Sequence, residues 1–372
     1  MTPLKKALGA AVSALALACS ASAQQSLLLV PDSGGDRIAA FDPVTGALVN
    51  LNFIPKDGRM KQVVQVAQTP WNTLLMTDFE ANSIWEYGLD GQYIRTFVTT
   101  AQLGFPTAPG ASRGLQGICI AYGKIWFTLN DVIGTGSDNR NAIWSVDYDG
   151  SNLQQFVTAV SQPALGQVRG ITPFNGGFLI ADSGDSSDDD IEFVSAAGVV
   201  MTPSWHDSTV RGSYMNFPQQ VTTTPEGNVL VATFSSGTVF ELDGASSNVS
   251  NFALPTPGLS LRGVYPLENG EWLATGGTKV IRIAPLGGTT TEIVNVTLSA
   301  YGVNGSFRWV SKIDLAPCFG DLDGSGEVDP GDVAFALLDY GPCEGCASDL
   351  DGNGEVDFGD IALILLSSGP CS

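Results

Sequence analysis

Residues 73–91 read TLLMTDFEANSIWEYGLDG, and this stretch contains the unit from which most of the chain is built. An apolar run at 73–77 leads into Asp78, and a second run at 83–87 leads into a turn at Asp90-Gly91. Short apolar runs separated by Asp, Asn and Gly are typical of antiparallel strands rather than of helices. The stretch therefore predicts a β-hairpin.

The same hairpin pattern recurs through residues 24–317. Further copies lie at 27–41, 124–146, 178–194, 228–242 and 271–283, and their first strands begin some 43 to 54 residues apart. A period of this length is that of a β-propeller blade. We therefore expect a mainly β chain whose residues 24–317 form a six-bladed β-propeller.

The ends of this region predict how the propeller closes. Five copies follow a further strand, near Gln65, Gln116, Arg169, Gln219 and Arg262, but nothing supplies that strand before residue 27. A suitable strand occurs at 308–314. Because an open edge would expose unpaired backbone groups, we expect blade one to combine 308–314 with 27–50.

The repeat resembles a known group of propellers. Arg169-Gly170-Ile171 followed by residues 176–182, GGFLIAD, is similar to the repeats of the six-bladed NHL-repeat and gluconolactonase-like proteins. The resemblance implies the fold. A gluconolactonase would also hold a divalent metal in its channel with Glu, Asn and Asp, but no residues of this sequence match those ligands one by one.

A polar residue begins each predicted inner strand, where a propeller has its central channel. One interpretation is a ligand site for an anionic small molecule or glycan, such as a carboxylate or a sugar acid. The other is that these side chains fill a narrow, wet channel and bond to nearby carbonyl groups. The six residues are Gln65, Gln116, Arg169, Gln219, Arg262 and Arg308.

Charge and the first residues predict where the protein works. The 372 residues include 17 Lys and Arg against 38 Asp and Glu, for a net charge of −21, which argues against nucleic acid as a partner. Lys5 and Lys6 precede an apolar run at 7–18, typical of a signal peptide over 1–23. A lipoprotein signal ending at Cys19 is the alternative. No later segment is apolar enough to span a membrane, so we expect a secreted or cell-surface protein.

Two calcium-binding loops are predicted near the end of the chain. Residues 321–332 read DLDGSGEVDPGD, and 349–360 repeat the pattern as DLDGNGEVDFGD. Oxygen side chains at loop positions 1, 3, 5, 9 and 12 around a glycine at position 6 suit Ca²⁺. We expect two Ca²⁺ ions, with these candidate ligands: Asp321, Asp323, Ser325, Glu327, Asp329, Asp332, Asp349, Asp351, Asn353, Glu355, Asp357 and Asp360.

Each loop is followed by an apolar run that predicts a short helix, at 333–338 and 361–366. A loop and an exit helix without an entering helix form half of an EF-hand. Its duplication over 318–372 resembles a type I dockerin domain. The resemblance implies docking onto a cohesin-like protein. Loop positions 10 and 11 hold Pro330-Gly331 and Phe358-Gly359, where dockerins carry hydroxyl residues, so the partner is either cohesin-like or unknown.

The last 55 residues also contain four of the six cysteines, which predicts disulfides in an exported protein. Cys318–Cys343 with Cys346–Cys371 is one pairing, and Cys318–Cys371 with Cys343–Cys346 is the other. The sequence does not choose between them.

Catalytic motifs are weak by comparison. His206, the only histidine, is expected in a surface loop, and Cys119 in an apolar strand. We therefore expect a non-catalytic interaction protein that docks through calcium, within an extracellular polysaccharide-handling assembly. The alternative is a propeller-fold hydrolase or lyase targeted by the same tail.

Overall fold

The computed structural model describes most of the chain and divides it into two compact units. The described residues are 26–104, 113–131, 141–158, 161, 165–184, 189–201, 204–211, 215–253, 259–285, 289–296, 306–315, 320–323, 327–343, 346–350 and 354–370. One unit is Ser26–Leu315, and the other includes Ala316–Ser372. The predicted signal peptide, 1–23, lies outside the described residues. No helix within the described ranges has the length and apolarity needed to cross a bilayer.

The first unit consists of six antiparallel sheets, the blades of a propeller. Blade 1 contains β1 (Ser26–Asp32), β2 (Arg37–Phe41) and β3 (Leu48–Ile54); blade 2 contains β4 (Val63–Gln68), β5 (Thr73–Asp78), β6 (Ser83–Gly88) and β7 (Tyr93–Val98). Blade 3 contains β8 (Arg113–Ala121), β9 (Lys124–Asp131), β10 (Ala142–Val146) and β11 (Gln154–Thr158), and blade 4 contains β12 (Val168–Phe174), β13 (Gly177–Ser183) and β14 (Asp189–Ser195).

Blades 5 and 6 follow the same plan. Blade 5 contains β15 (Pro218–Thr223), β16 (Val229–Thr233), β17 (Val239–Leu242) and β18 (Val249–Ala253). Blade 6 contains β19 (Gly263–Pro266), β20 (Trp272–Gly276), β21 (Lys279–Ile283) and β22 (Thr290–Asn295). The predicted mainly β, six-bladed propeller is therefore confirmed.

The middle strands of the blades are largely buried on both faces, because every sheet packs between two others. All five residues of β2 and all seven of β13 are buried, whereas the outer strand β3 is largely exposed. Leu75 of blade 2 packs in one cluster with Phe127 of blade 3. This burial explains why the sequence shows continuous apolar runs in the middle strands and alternation only at the outside.

A strand from the far end of the unit completes blade 1. β23 (Ser311–Asp314) pairs antiparallel with β1, with Ser26 opposite Asp314 and Leu29 opposite Ser311. The Ser26 hydroxyl donates to Asp314 at 2.7 Å, and the Gln68 amide of blade 2 donates to the Asp314 carbonyl at 2.6 Å. The closing strand is thus bonded both to β1 of its own blade and to the neighbouring blade 2.

The second unit is small and internally repeated. It contains β24 (Glu327–Val328), α1 (Pro330–Leu338), β25 (Gly341–Pro342), β26 (Glu355–Val356), α2 (Phe358–Leu366) and β27 (Gly369–Pro370). β24 pairs with β27 and β25 with β26, so each half supplies a strand to the other. Its buried core repeats every 28 residues, with Val328 and Ala336 matched by Val356 and Ile364.

Both helices begin with the same cap. Asp329 and Asp357 accept a hydrogen bond from the backbone N–H of Gly331 and Gly359, respectively, each at 2.6 Å. An aspartate at this position satisfies N–H groups that a helix leaves unpaired at its start. The acidic loop residues therefore define where each helix begins.

Candidate functional site

The inner strands begin with an irregularity at one mouth of the central channel. Register shifts occur in blades 2 to 5, between Val63 and Gln65, Leu115 and Ile118, Val168 and Ile171, and Pro218 and Val221. At the mouth, backbone carbonyl groups of one blade accept hydrogen bonds from threonine hydroxyls of the neighbouring blade. The Thr77 hydroxyl donates to the Gln116 carbonyl at 2.6 Å, and the hydroxyls of Thr128 and Thr275 donate to the carbonyls of Arg169 and Arg308.

These contacts fix six equivalent residues, which we call the mouth positions. They are Val64, Gln116, Arg169, Gln219, Arg262 and Arg308. Five of them are residues that the sequence predicts. In blade 2, however, Val64 takes this position, and its carbonyl accepts from the Trp309 N–H at 3.2 Å. Gln65 lies one position further along the strand, so the sequence alignment of the blades is one residue out of step in blade 2.

Gln65 and Gln220 occupy that next position and bond across the channel. The Gln65 side-chain oxygen accepts from the Ile118 N–H at 2.9 Å. The Gln220 side-chain oxygen accepts from the N–H groups of Val264 at 3.0 Å and Val310 at 2.9 Å. The Gln65 side chain thus bonds to a backbone N–H group and not to a carbonyl group. Gln220, which is not among the six candidates, bonds to both kinds of group, since its Nε2 donates to the Val310 carbonyl at 2.6 Å.

Beyond these glutamines, the channel opens into a cavity of about 320 Å³. Its lining includes Lys312, Tyr265 and Cys119. Burial raises the pKa of the Cys119 thiol far above its ordinary value, which keeps the group protonated and a poor nucleophile. The cavity therefore lacks an activated thiol.

Three arginines converge at the mouth. The Arg169 guanidinium carbon lies 4.2 Å from the centre of the Phe217 ring, and that of Arg262 lies 4.5 Å from the Phe234 ring. The two aromatic rings are 5.8 Å apart. Arg308 donates from Nε to the Ser33 hydroxyl at 2.9 Å. We refer to Arg169, Arg262 and Arg308 as the arginine cluster.

The cluster is electrostatically unfavourable on its own. Burial lowers the pKa of Arg169 and of Arg262 to about 10 each. For Arg308, burial and then the charges of Arg262 and Arg169 lower the pKa to about 9. All three side chains remain charged at neutral pH. Within the described ranges, none of them forms an ion pair with a carboxylate.

A buried amide lies at the mouth position between Arg169 and Arg262. Gln219 is only 1% exposed, and its side-chain Nε2 has no hydrogen-bond partner among the described residues. A buried donor left without a partner is unusual in a folded protein, since its desolvation costs free energy. The mouth thus combines three cations with an unused N–H donor.

Sequence analysis missed the aromatic residues that support the arginines. Phe217 has a φ of 61°, a conformation that is uncommon for a bulky residue. Its N–H donates to the Asp189 carboxylate at 3.0 Å, and its carbonyl accepts from the Phe234 N–H at 2.9 Å. No local sequence motif predicts this arrangement, because it depends on contact between two loops that are separate in sequence.

In the second unit, the first predicted calcium loop brings carboxylates together. Asp321, Asp323 and Asp332 each place an oxygen within 4.8 Å of the others. Asp332 is fully buried, and one of its oxygens accepts from the N–H groups of Leu322 at 2.6 Å and Asp323 at 3.1 Å. Close carboxylate oxygens of this kind suit a hard cation such as Ca²⁺. Ser325 lies outside the described residues.

The second loop repeats the arrangement of the first where both are described. Asp360 is buried like Asp332, and it accepts from the N–H groups of Leu350 at 2.7 Å and Asp357 at 2.8 Å. Asp349 accepts from the Gly354 N–H at 2.9 Å. Asp351 and Asn353 lie outside the described residues. Glu327 and Glu355, at position 7 of each loop, have exposed side chains on β24 and β26.

Two further predictions concern individual side chains. His206 is fully buried and not in an exposed loop: its Nδ1 lies 2.7 Å from the Ser247 carbonyl oxygen, and its backbone bridges to Ile191. The structure pairs Cys343 with Cys346, one of the two alternatives, while Cys318 and Cys371 lie outside the described residues.

Comparison with known proteins supports the fold alone. No protein-family model matches the chain, and no curated protein does. A nidogen–laminin complex superposes with a TM-score of 0.55 at 12% identity, covering 77% of this chain and 98% of that one. A protein of unknown function from Bacteroides caccae gives 0.51 at 16% identity, covering 78% and 99%. Virginiamycin B lyase from Staphylococcus aureus is more distant, with a TM-score of 0.43 at 18% identity, covering 64% of this chain and 72% of that one.

Proposed function

We propose that the protein is an exported, non-catalytic interaction protein whose second unit docks onto a protein partner in a calcium-dependent way. The observation that carries this proposal is a repeated pair of exposed leucines. Leu337 and Leu338 at the end of α1 are 53% and 74% exposed, and Leu365 and Leu366 at the end of α2 are 61% and 84% exposed. Paired apolar residues left in water by two helices favour a partner surface.

The charge of the second unit defines the partner's chemistry. Residues 318–372 contain twelve carboxylates and no Lys or Arg. A complementary partner would therefore offer an apolar patch edged by basic side chains. A cohesin-like module is one such candidate, and an unrelated basic protein is the other. A role in polysaccharide handling rests on the dockerin resemblance alone.

Calcium would link the loops to this surface. Acidic groups this dense repel one another in a unit whose described core has only four fully buried apolar side chains. Two Ca²⁺ ions would cancel four of the charges, and binding would then stabilise both loops and the helices that start from them. The buried Asp332 and Asp360 tie each loop to the beginning of its helix, so ordering one orders the other.

Calorimetry of the full chain tests the calcium part. We expect two ions per chain, and one ion after Asp321→Ala, because that change removes the first ligand of one loop only. Asp314→Ala, which removes a carboxylate of the propeller, is the matched control and should still bind two. A stoichiometry other than two, or a second unit that is equally ordered after chelation, would contradict the proposal.

Affinity capture from the secreted fraction tests the docking part. The full chain should retain a partner with Ca²⁺ and release it when the ion is chelated. A double change, Leu338→Lys with Leu366→Lys, should abolish capture and leave calcium stoichiometry intact. Val44→Lys, on an exposed apolar residue of the propeller, is the control. Capture that survives the double change would exclude the leucine pairs as the docking surface.

The enzymatic alternative needs an acid–base or nucleophilic group facing a substrate. His206 is buried, and the Cys119 thiol has a raised pKa, so neither supplies one. Turnover of any member of a panel of lactones and oligosaccharides by the full chain would replace the non-catalytic proposal with the hydrolase or lyase alternative.

A further inference from the structure

We propose that the arginine cluster, together with the amide of Gln219, binds the oxyanion group of a small ligand: a carboxylate, a phosphate or a sulfate. This site belongs to the propeller and goes beyond the docking function proposed above. It does not depend on that function, because every residue in it lies within the unit Ser26–Leu315.

The donor chemistry of the mouth selects the ligand. Guanidinium groups carry only hydrogen-bond donors, and the unused Nε2 of Gln219 is also a donor. The Arg262 guanidinium has no hydrogen bond among the described residues; its ring contact with Phe234 leaves its N–H groups available. A set of groups that donates and does not accept is complementary to an acceptor-only oxyanion, which arginine can bind in a planar, bidentate way.

The charge balance of the mouth also favours an anion. Three like charges crowd a partly buried site, an arrangement that a bound anion would relieve. Asp182 and Asp189 are the carboxylates that interact electrostatically with Arg169. Both also accept backbone hydrogen bonds, Asp182 from Gly166 at 2.5 Å and Asp189 from Phe217 at 3.0 Å. Arg262 and Arg308 gain no comparable carboxylate in the part of the chain that the structure describes.

The surroundings hold the arginines in place before a ligand arrives. The Phe217 and Phe234 rings lie against two guanidinium planes, and their backbones are joined by a 2.9 Å hydrogen bond. Phe217 adopts its left-handed backbone to do so, which costs free energy of the kind that proteins retain at functional sites. Such preorganisation reduces the entropy lost on binding.

Calorimetry with defined anions tests the site. The full chain, in a chloride buffer without added calcium, is titrated separately with malonate, inorganic phosphate and sulfate. We expect saturable binding of one ion per chain for at least one of the three, weakening as chloride increases. The anion that binds most tightly identifies whether the natural ligand carries a carboxylate, a phosphate or a sulfate. Absence of binding by all three at millimolar concentration would overturn the proposal.

Substitutions at the mouth positions locate the bound ion. Glutamine already occupies this position in blades 3 and 5, so Arg262→Gln and Arg308→Gln place a side chain there that the fold accepts. Each should weaken anion binding at least tenfold, and Gln219→Leu should weaken it severalfold. Arg95→Gln, which removes a partly exposed arginine of β7, should change the affinity less than twofold. Equal affinity in wild type and Arg262→Gln would overturn the proposal.

Thermal unfolding separates binding from a purely structural role. Without the anion, Arg308→Gln should unfold at the same temperature as wild type or higher, because one of three repelling charges is gone. The anion should raise the midpoint of wild type and leave that of the variant unchanged. An arginine needed only for structure would instead lower the midpoint when replaced, with no dependence on the anion, and that result would overturn the assignment.

Discussion

Gln219 and Gln220 are neighbours on β15, yet their amides have opposite surroundings. Gln220 bonds to three backbone groups of blade 6 and the closing segment, and both residues are almost fully buried. The Nε2 of Gln219 has no partner among the described residues. Adjacent residues of the same type therefore differ in hydrogen bonding, because the amide of Gln220 is bonded on both sides and the Nε2 of Gln219 is not bonded within the described part of the chain.

This contrast predicts that replacing Gln220 destabilises the protein more than replacing Gln219. Gln220→Leu should lower the free energy of unfolding by about 2–4 kcal/mol, because the N–H groups of Val264 and Val310 lose their acceptor inside the protein. Gln219→Leu should cost less than about 1 kcal/mol. Urea unfolding of both variants in an anion-free buffer measures the difference. Similar losses would mean that the two amides contribute alike.

His206 predicts a pH dependence of stability. Burial lowers the pKa of His206 below its ordinary value of 6.5. The unfolded chain therefore takes up a proton more readily than the folded one, so this contribution is complete above about pH 6.5 and is lost as the pH falls. Urea midpoints between pH 7.5 and 5.5 should fall for wild type.

The variant His206→Asn provides the comparison, since the amide can still donate to the Ser247 carbonyl. Its urea midpoint should fall less over the same pH interval than that of wild type. Parallel curves would show that other groups, and not this histidine, account for the loss of stability.

For individual residues, the sequence predicted which charged side chains lie at the mouth better than it predicted the residues that contact them. The three arginines of the cluster follow from the repeat, because each lies at or shortly before the start of an inner strand. The presence of Val64 instead of Gln65 at the mouth position of blade 2 does not, since it depends on how blades 1 and 2 meet at the channel. Nor do the supporting phenylalanines, which come from loops that meet only in the folded protein.

Among the elements, the inner strands are packed so closely that glycine is required in some blades. A Cβ atom on Gly170 would lie 2.5 Å from the Gln219 carbonyl oxygen and 2.8 Å from the Val221 nitrogen. Both are backbone atoms of the next blade and cannot move aside without shifting β15. The approach of neighbouring blades at the channel therefore depends on this residue.

Gly170→Ala should consequently lower the free energy of unfolding by about 2–4 kcal/mol, as overpacking and strand displacement combine. Gly227→Ala is the matched control: its φ is +88° but nothing lies within 4 Å, so only the backbone penalty of about 1 kcal/mol applies. Chemical denaturation of both variants checks this. Equal losses would show that strand spacing is not limited at Gly170.

The two helices show what sequence can predict at this scale. Their starts follow from Asp329 and Asp357, because a capping aspartate is a local signal. The pairing of β24 with β27 and of β25 with β26 cannot be predicted from the sequence, because two-residue strands show no periodicity. The sequence does not choose between the two disulfide pairings either, because the choice depends on how the two halves of the unit meet.

For the whole molecule, the closing strand decides whether the propeller forms. A chain that ends after Leu315 retains β23 and should give a cooperative thermal transition with a β-sheet spectrum. A chain that ends after Gly305 should show neither, because β1 and the inner face of blade 1 lose their neighbour. Circular dichroism of the two truncations tests this. A folded shorter chain would show that five complete blades suffice.

The repeat period predicted the number of blades because each hairpin is a local unit with its own turns. It predicted function poorly because propellers share this scaffold irrespective of what they bind. What distinguishes this chain lies at the mouth positions, where a few side chains differ between otherwise equivalent blades.

The pairing of β23 with β1 imposes an order on the life of the chain. Strand β1 is synthesised before the other strands of the propeller, and its inner partner is separated from it by nearly the whole propeller. Until β23 emerges from the ribosome, the edge of β1 in the nascent protein is unpaired and apolar, and other polypeptide chains could pair with it and aggregate. Shielding of the β1 edge during translation is therefore needed until β23 has been made.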